Sequence, residues 1–155
     1  MQQQLKDFLR SHTFREYTAA DEDYHYLRQG QSVVRICNPH GGEDLFIKLD
    51  EQEHVVSFGA WNGYYEASEG GLQNLLHDVE NIINDDSYVW CLEMPGRQMV
   101  GLVNDAMMIF PDLMASGKLV TEEGKTISFD PKQFRQDFIF WDPAMVNPDP
   151  SPFLS

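Results

Sequence analysis

Ser68-Glu69-Gly70-Gly71-Leu72-Gln73-Asn74-Leu75-Leu76-His77-Asp78-Val79-Glu80-Asn81-Ile82-Ile83-Asn84 is the stretch whose reading decides the fold. Leu72, Leu75, Leu76, Val79, Ile82 and Ile83 recur at offsets 0, 3, 4, 7, 10 and 11, which is one apolar stripe on a helix. Asn74, His77, Asp78, Asn81 and Asn84 fall on the opposite face. Ser68 stands where an N-cap is needed, so the spacing predicts a helix over about Glu69–Asn84. A helix with one apolar face needs a layer to bury it against.

The flanking sequence supplies that layer. Upstream, Ser32–Cys37 is rich in β-formers, and Asn38-Pro39-His40-Gly41-Gly42 reads as a turn. In Asp44–Asp50, Leu45, Ile47 and Leu49 alternate with Lys48 and Asp50, as in a half-buried strand. Val55–Phe58 follows, and the three runs read as an antiparallel meander. Downstream, Ser87–Met94 and Gln98–Val103 flank Pro95-Gly96, a type II turn pair, and predict a hairpin. Leu119–Thr121 and Thr126–Phe129 predict a second hairpin, and Phe138–Trp141 a last buried strand or apolar anchor. A short helix is expected at Gln3–Arg10, burying Leu5, Phe8 and Leu9. Asp130-Pro131 suits the start of another. Residues 14–30 show no clear period, and Asp105–Gly117 allows a helix that Pro111 interrupts. The expected fold is α+β: an antiparallel sheet of about five to seven strands with one long amphipathic helix packed on it. Residues 1–141 read as a single domain and 142–155, with prolines at 143, 148, 150 and 152, as an extended tail.

Length fits one ordinary domain with a real core. The extreme property is charge: 25 acids against 11 bases, a formal net of −14. Such a surface repels nucleic-acid phosphates and anionic lipid, so neither nucleic acid nor membrane is an expected partner. No apolar run approaches a membrane span, and the start lacks a secretory h-region. The cytoplasm is the expected compartment, with Cys37 and Cys91 as buried thiols unless the two side chains meet.

The charge is concentrated. Residues 49–117 hold twelve acids and one base, Arg97, which is −11 of the −14. No Lys or Arg lies between Lys48 and Arg97. One reading is a solvated acidic surface. The other is a docking face for a basic partner, because a base-free stretch forgoes the weak pairs that mixed signs supply. Trp61, Tyr64 and Tyr65 interrupt the acids, and Trp and Tyr are enriched at interface hot spots. In this reading the three aromatics anchor, while Asp50, Glu51, Glu53, Glu66, Glu69, Asp78 and Asp85 steer.

Chemistry-bearing motifs are sparse. Cys37-Asn38-Pro39-His40 has zinc-like spacing but no second ligand pair follows, so no metal is expected. No phosphate-binding loop, dinucleotide fingerprint or nucleophile elbow occurs, so neither a cofactor nor a catalytic residue is expected. An enzyme remains the alternative, with His25, His40 or His54 paired to a buried carboxylate. A third reading is an oligomerising domain that uses the Met and aromatic residues of 107–114 and 138–141 as a dimer face.

Phe58-Gly59-Ala60-Trp61-Asn62-Gly63-Tyr64-Tyr65, set between a strand and an amphipathic helix, resembles the small immunity-protein-like domains encoded beside bacterial toxins. Those carry F-G-x-W-H-x-H-F/Y at this place. Phe58, Gly59, Trp61 and Tyr65 match, whereas Asn62 and Tyr64 stand where histidines are usual. The likeness covers about a third of the chain. It implies an antitoxin-type binder that masks a toxin's surface or active site. The departures remove any metal or acid–base role from Asn62 and Tyr64.

Overall fold

Alternation in the strands and the stripe of the helix meet in one core. The protein is seen in a computed structural model that describes residues 2–104, 118–120, 124, 126–128 and 135–145. Its elements run α1 (Gln3–Leu9), β1 (Phe14–Thr18), β2 (Ser32–Ile36), β3 (Leu45–Leu49), β4 (Glu53–Phe58), β5 (Trp61–Glu66), α2 (Glu69–Ile83), β6 (Tyr88–Met94), β7 (Arg97–Val103), β8 (Lys118–Val120), β9 (Thr126–Ser128) and β10 (Arg135–Ile139). Strands β1 to β5 form an antiparallel meander in sequence order. A second antiparallel sheet has the order β10-β6-β7, and β8 pairs with β9. The class is α+β, with α2 packed on the five-stranded sheet.

The expected helix forms with its expected cap. The Gly71 N–H donates to Ser68 Oγ at 3.0 Å, which satisfies one of the free amides of the first turn. Leu72, Leu75, Val79 and Ile82 are fully buried, and Leu76 and Ile83 pack at the margin of the core. Val34, Ile36, Leu45, Ile47, Val56 and Phe58 meet this stripe from the sheet. Each such side chain contributes about 1.5–3 kcal/mol on burial. Leu5 and Leu9 of α1 close one side of this core, and Val89 and Cys91 of β6 enter it from the second sheet. Strand β6 is buried on both faces, since Tyr88, Trp90 and Leu92 form a separate cluster with Phe138 and Phe140.

Two strands lie where no strand was expected. β1 forms within the stretch that showed no period, because it is an edge strand whose side chains are nearly all exposed. β5 takes up Trp61–Glu66, which read only as an aromatic connection between strand and helix. β4 begins two residues earlier than expected, at Glu53. The predicted hairpin at Pro95-Gly96 is present, with Gly96 at φ +72° as the third residue of a type II turn needs. The interrupted helix at 105–117 and the helix start at Asp130-Pro131 lie outside the described residues.

The join between β5 and α2 is close. A methyl group on Gly71 would sit 1.9 Å from the Glu66 carbonyl oxygen, whereas one on Gly70 would meet nothing within 4 Å. The turn from strand to helix therefore requires glycine at 71 and not at 70. Gly71→Ala should lose about 3 kcal/mol of stability, because the backbone of Glu66 has to move. Gly70→Ala should gain about 0.5 kcal/mol from helix propensity. Urea denaturation of the two variants checks the contrast, and similar effects of both would contradict this packing.

Candidate binding face

The register of β5 against β4 assigns each aromatic residue to a face. His54, Val56 and Phe58 pair with Tyr65, Gly63 and Trp61 on the side that carries α2. Val55 and Ser57 pair with Tyr64 and Asn62 on the other side. The three expected anchors are thus divided. Trp61 and Tyr65 lie inward, over Gly63: a methyl there would meet Trp61 Cζ2 and Cη2 at 2.6 Å and Tyr65 Oη at 2.9 Å. The Tyr65 hydroxyl donates to Asp78 Oδ2 at 2.6 Å, joining the sheet to the helix. Burial first, then this bond to Asp78, pushes the Tyr65 phenol far above its ordinary value. Tyr64 points outward and is 65 % exposed.

The outer face of the meander holds a cleft of roughly 450 Å³. Tyr24, Tyr26, Phe46, Val55 and Tyr64 supply its apolar lining, and Lys48 its charge. Tyr24 is fixed by stacking on Tyr17, with ring centroids 4.4 Å apart, and Tyr26 is 63 % exposed. Ser57 Oγ donates to Asn62 Oδ1 at 2.6 Å, so two polar groups of the lining satisfy each other. Among the described residues no carboxylate lies within ion-pair distance of Lys48.

Five of the seven expected steering acids gather at one end of this sheet. Asp50 and Glu51 occupy the β3–β4 turn, Glu53 opens β4, Glu66 closes β5 and Glu69 opens α2. Glu53 and Glu66 are direct cross-strand partners, and like charges in that position repel. Among the described residues none of the five has a basic partner within ion-pair distance. Asp50 accepts from Gln31 Nε2 at 2.6 Å and from the Gln52 N–H, which hold its carboxyl below the usual range. The other two acids are elsewhere. Asp78 serves Tyr65. Asp85 follows the far end of α2, about 22 Å of helix away. It takes φ +59° and accepts the Asp142 N–H at 3.0 Å. Burial raises its carboxyl above the ordinary value despite that bond.

The histidines of the catalytic alternative are dispersed. His25 is exposed and its Nδ1 contacts the Glu22 carbonyl. His40 Nδ1 lies 4.0 Å from Asp142 Oδ2, beyond a hydrogen bond. His54 is buried, and its Nδ1 accepts the Asp50 N–H at 3.3 Å. Among the described residues no three His, Cys, Asp or Glu side chains converge as metal ligands. Both cysteines are free thiols. No described helix is long and apolar enough to cross a membrane.

Tyr24, Tyr26, Phe46 and Val55 were missed as site residues. Phe46 carried a readable signal: it is a large aromatic at a position where β3 alternation calls for a polar one. Tyr24 and Tyr26 carried none, because only the fold of 19–31 over the sheet brings them there.

His54 yields a pH dependence. Burial lowers its pKa, and the negative charge of Asp50 offsets this only in part. The folded protein binds this proton less readily than the unfolded chain. The histidine's contribution is therefore full above its ordinary value of 6.5 and falls as the pH drops below it. His54→Asn keeps an acceptor for the Asp50 N–H without titrating. The stability of the wild type relative to this variant should decrease from pH 7 to pH 5 in urea denaturation, and a constant difference would contradict a buried neutral imidazole. Comparison with protein families, with curated proteins and with solved structures finds no match to this chain.

Proposed function

We propose that this chain is a protein-binding domain that takes a basic partner on the outer face of its meander, as an immunity-type protein neutralising a basic toxin would. The observation that carries this reading is the contiguity of an exposed aromatic with uncompensated acids. Tyr64 is followed on the same face by Glu66, which stands directly across from Glu53. The repulsion between those carboxylates works against folding, by a few tenths to about 1 kcal/mol. A cationic group placed between them reverses the sign of that interaction. The acids accelerate encounter, and Tyr64 with the neighbouring cleft supplies apolar contact once the partner has arrived. The pattern of Phe58, Gly59, Trp61 and Tyr65 supports a toxin as the partner class, with the side chains of Phe58, Trp61 and Tyr65 packed into the core and Tyr64 meeting the partner.

A matched pair of variants separates a docking face from bulk charge. Glu53→Gln/Glu66→Gln/Glu69→Gln and Glu80→Gln/Asp86→Asn/Glu93→Gln remove the same three charges from exposed positions. Binding of a Lys/Arg-rich peptide, followed by calorimetry at low and physiological salt, should weaken about tenfold for the first triple, equivalent to roughly 1.4 kcal/mol. The second triple should stay close to wild type. Equal weakening of both would mean that only net charge matters and would overturn the assignment of this face.

A further inference from the structure

Arg35 shows which chemistry the surroundings of Phe46 already support. Its guanidinium carbon lies 5.9 Å from the centre of the Phe46 ring, and its Nε donates to Asp44 Oδ2 at 2.7 Å. Asp44 Oδ1 accepts the Asn38 N–H at 2.7 Å, so both oxygens of this carboxylate are engaged. Glu43, its neighbour in the chain, is exposed, and among the described residues no basic side chain lies within ion-pair distance of it. The two acids border a cleft of about 510 Å³, whose described lining also includes Phe46, Phe138 and Phe140. Glu43 and Asp44 are the charged residues of that described lining.

The walls of this cleft come from distant parts of the chain and are tied together. Asn38 Nδ2 donates to the Glu43 carbonyl at 2.9 Å and to the Trp141 carbonyl at 2.7 Å. One side chain thus joins the β2–β3 turn to the segment after β10. Trp141 is itself buried in the core beside Phe58. A methyl group on Gly42 would sit 2.7 Å from Pro143 Cγ, so the walls close on each other there. Phe138 and Phe140 both pack on Tyr88, at centroid distances of 5.8 and 4.8 Å. The cleft is shaped before a ligand arrives, which lowers the cost of ordering it on binding.

We propose that this cleft takes an arginine side chain of the basic partner, its guanidinium against the phenylalanine rings and paired to the Glu43 carboxylate. Three observations agree on that occupant. First, the charge matches. Aromatic faces attract cations, and Glu43 has the carboxylate oxygens that Asp44 has already committed. Second, the lining favours a guanidinium over an ammonium group. A guanidinium is planar and weakly hydrated, stacks on rings and bonds a carboxylate through two parallel N–H groups. An ammonium group is strongly hydrated and would leave its water for rings that accept no ordinary hydrogen bond. Arg35 already makes the same combination of ring and carboxylate next door. Third, the cleft continues the proposed binding face. Phe46 also lines the cleft that holds Tyr64, so a partner lying on the outer face reaches both. Glu43 precedes β3 and Asp50 follows it, so this contact stands about 17 Å of strand away from the acidic end. The partner would then carry an arginine set apart from the basic group that meets Glu53 and Glu66. This inference rests on reading the partner as basic, but its test needs no partner.

The test is a nuclear magnetic resonance titration of the full chain with N-acetyl-arginine amide. Saturable shift changes should centre on the backbone amides of Gly41 to Asp44 and on the rings of Phe46, Phe138 and Phe140. Glu43→Gln, at an exposed position, should weaken this binding about fivefold. Phe46→Leu, which keeps the apolar volume but removes the ring, should weaken it about threefold with unchanged circular dichroism. N-acetyl-lysine amide should bind at least about threefold more weakly than the arginine compound. Absence of saturable shifts at these residues, or undiminished binding in both variants, would overturn the proposal. Equal affinity for the lysine compound would overturn the assignment to a guanidinium. The Glu53→Gln/Glu66→Gln/Glu69→Gln protein should bind the arginine compound at this cleft as the wild type does, and loss of these shifts there would mean that bulk charge holds the ligand. Weaker binding of the Lys/Arg-rich peptide by that triple variant concerns the acidic end alone, so either reading can fail without the other.

Discussion

The structure depends on one strand that cannot place two neighbouring tyrosines on the same side. Along β5 the side chains alternate, so Tyr65 is committed to the helix and Tyr64 to solvent. Gly63 makes the arrangement feasible, because Trp61 and Tyr65 close over the space that a side chain there would fill. Gly71 completes it by letting α2 start against the Glu66 carbonyl. The Tyr65–Asp78 bond then fixes the helix across the sheet, with the buried leucines and isoleucines providing most of the adhesion. A slip of one residue in β5 would bury Tyr64 and Glu66 and expose Trp61 and Tyr65.

The same alternation sorts the acids. A basic-free segment of sequence does not become one acidic patch. Of its seven expected steering acids, one is drawn to a helix–strand bond, one to a turn behind the helix, and five to one end of the sheet. Among the described residues, the last group combines carboxylates that lack an ion-pair partner, an opposed like-charge pair and an exposed aromatic. The cleft beside it is apolar with one ammonium group, so the outer face is graded, acidic at one end and aromatic with a positive centre in the middle. A partner that matches both parts is recognised by more than charge.

Much of the fold was legible. The helix stripe, the Ser68 cap, the meander and the Pro95-Gly96 hairpin all follow from period, cap and turn chemistry. β1 was not legible, because an edge strand with exposed Arg15 and Glu16 buries too little to show alternation. β5 was hidden because Asn62 and Gly63 are poor strand formers that tertiary packing overrides. The site was legible only in part. Composition pointed to the acidic segment and to Tyr64, but the assignment of Trp61 and Tyr65 to the core needs the register. The contribution of Tyr24 and Tyr26 comes from a loop folded over the sheet, which no local pattern encodes.

The central claim is that β5 presents two tyrosines to two different environments, one structural and one available for contact. Denaturant unfolding of Tyr65→Phe and Tyr64→Phe tests it most directly, since each change removes one hydroxyl and little volume. The account predicts a loss of about 1.5–3 kcal/mol for Tyr65→Phe, as for a hydrogen bond to a charged acceptor. It predicts a change within about 0.5 kcal/mol for Tyr64→Phe, as at an exposed site. Equal losses, or the larger loss at Tyr64, would contradict it.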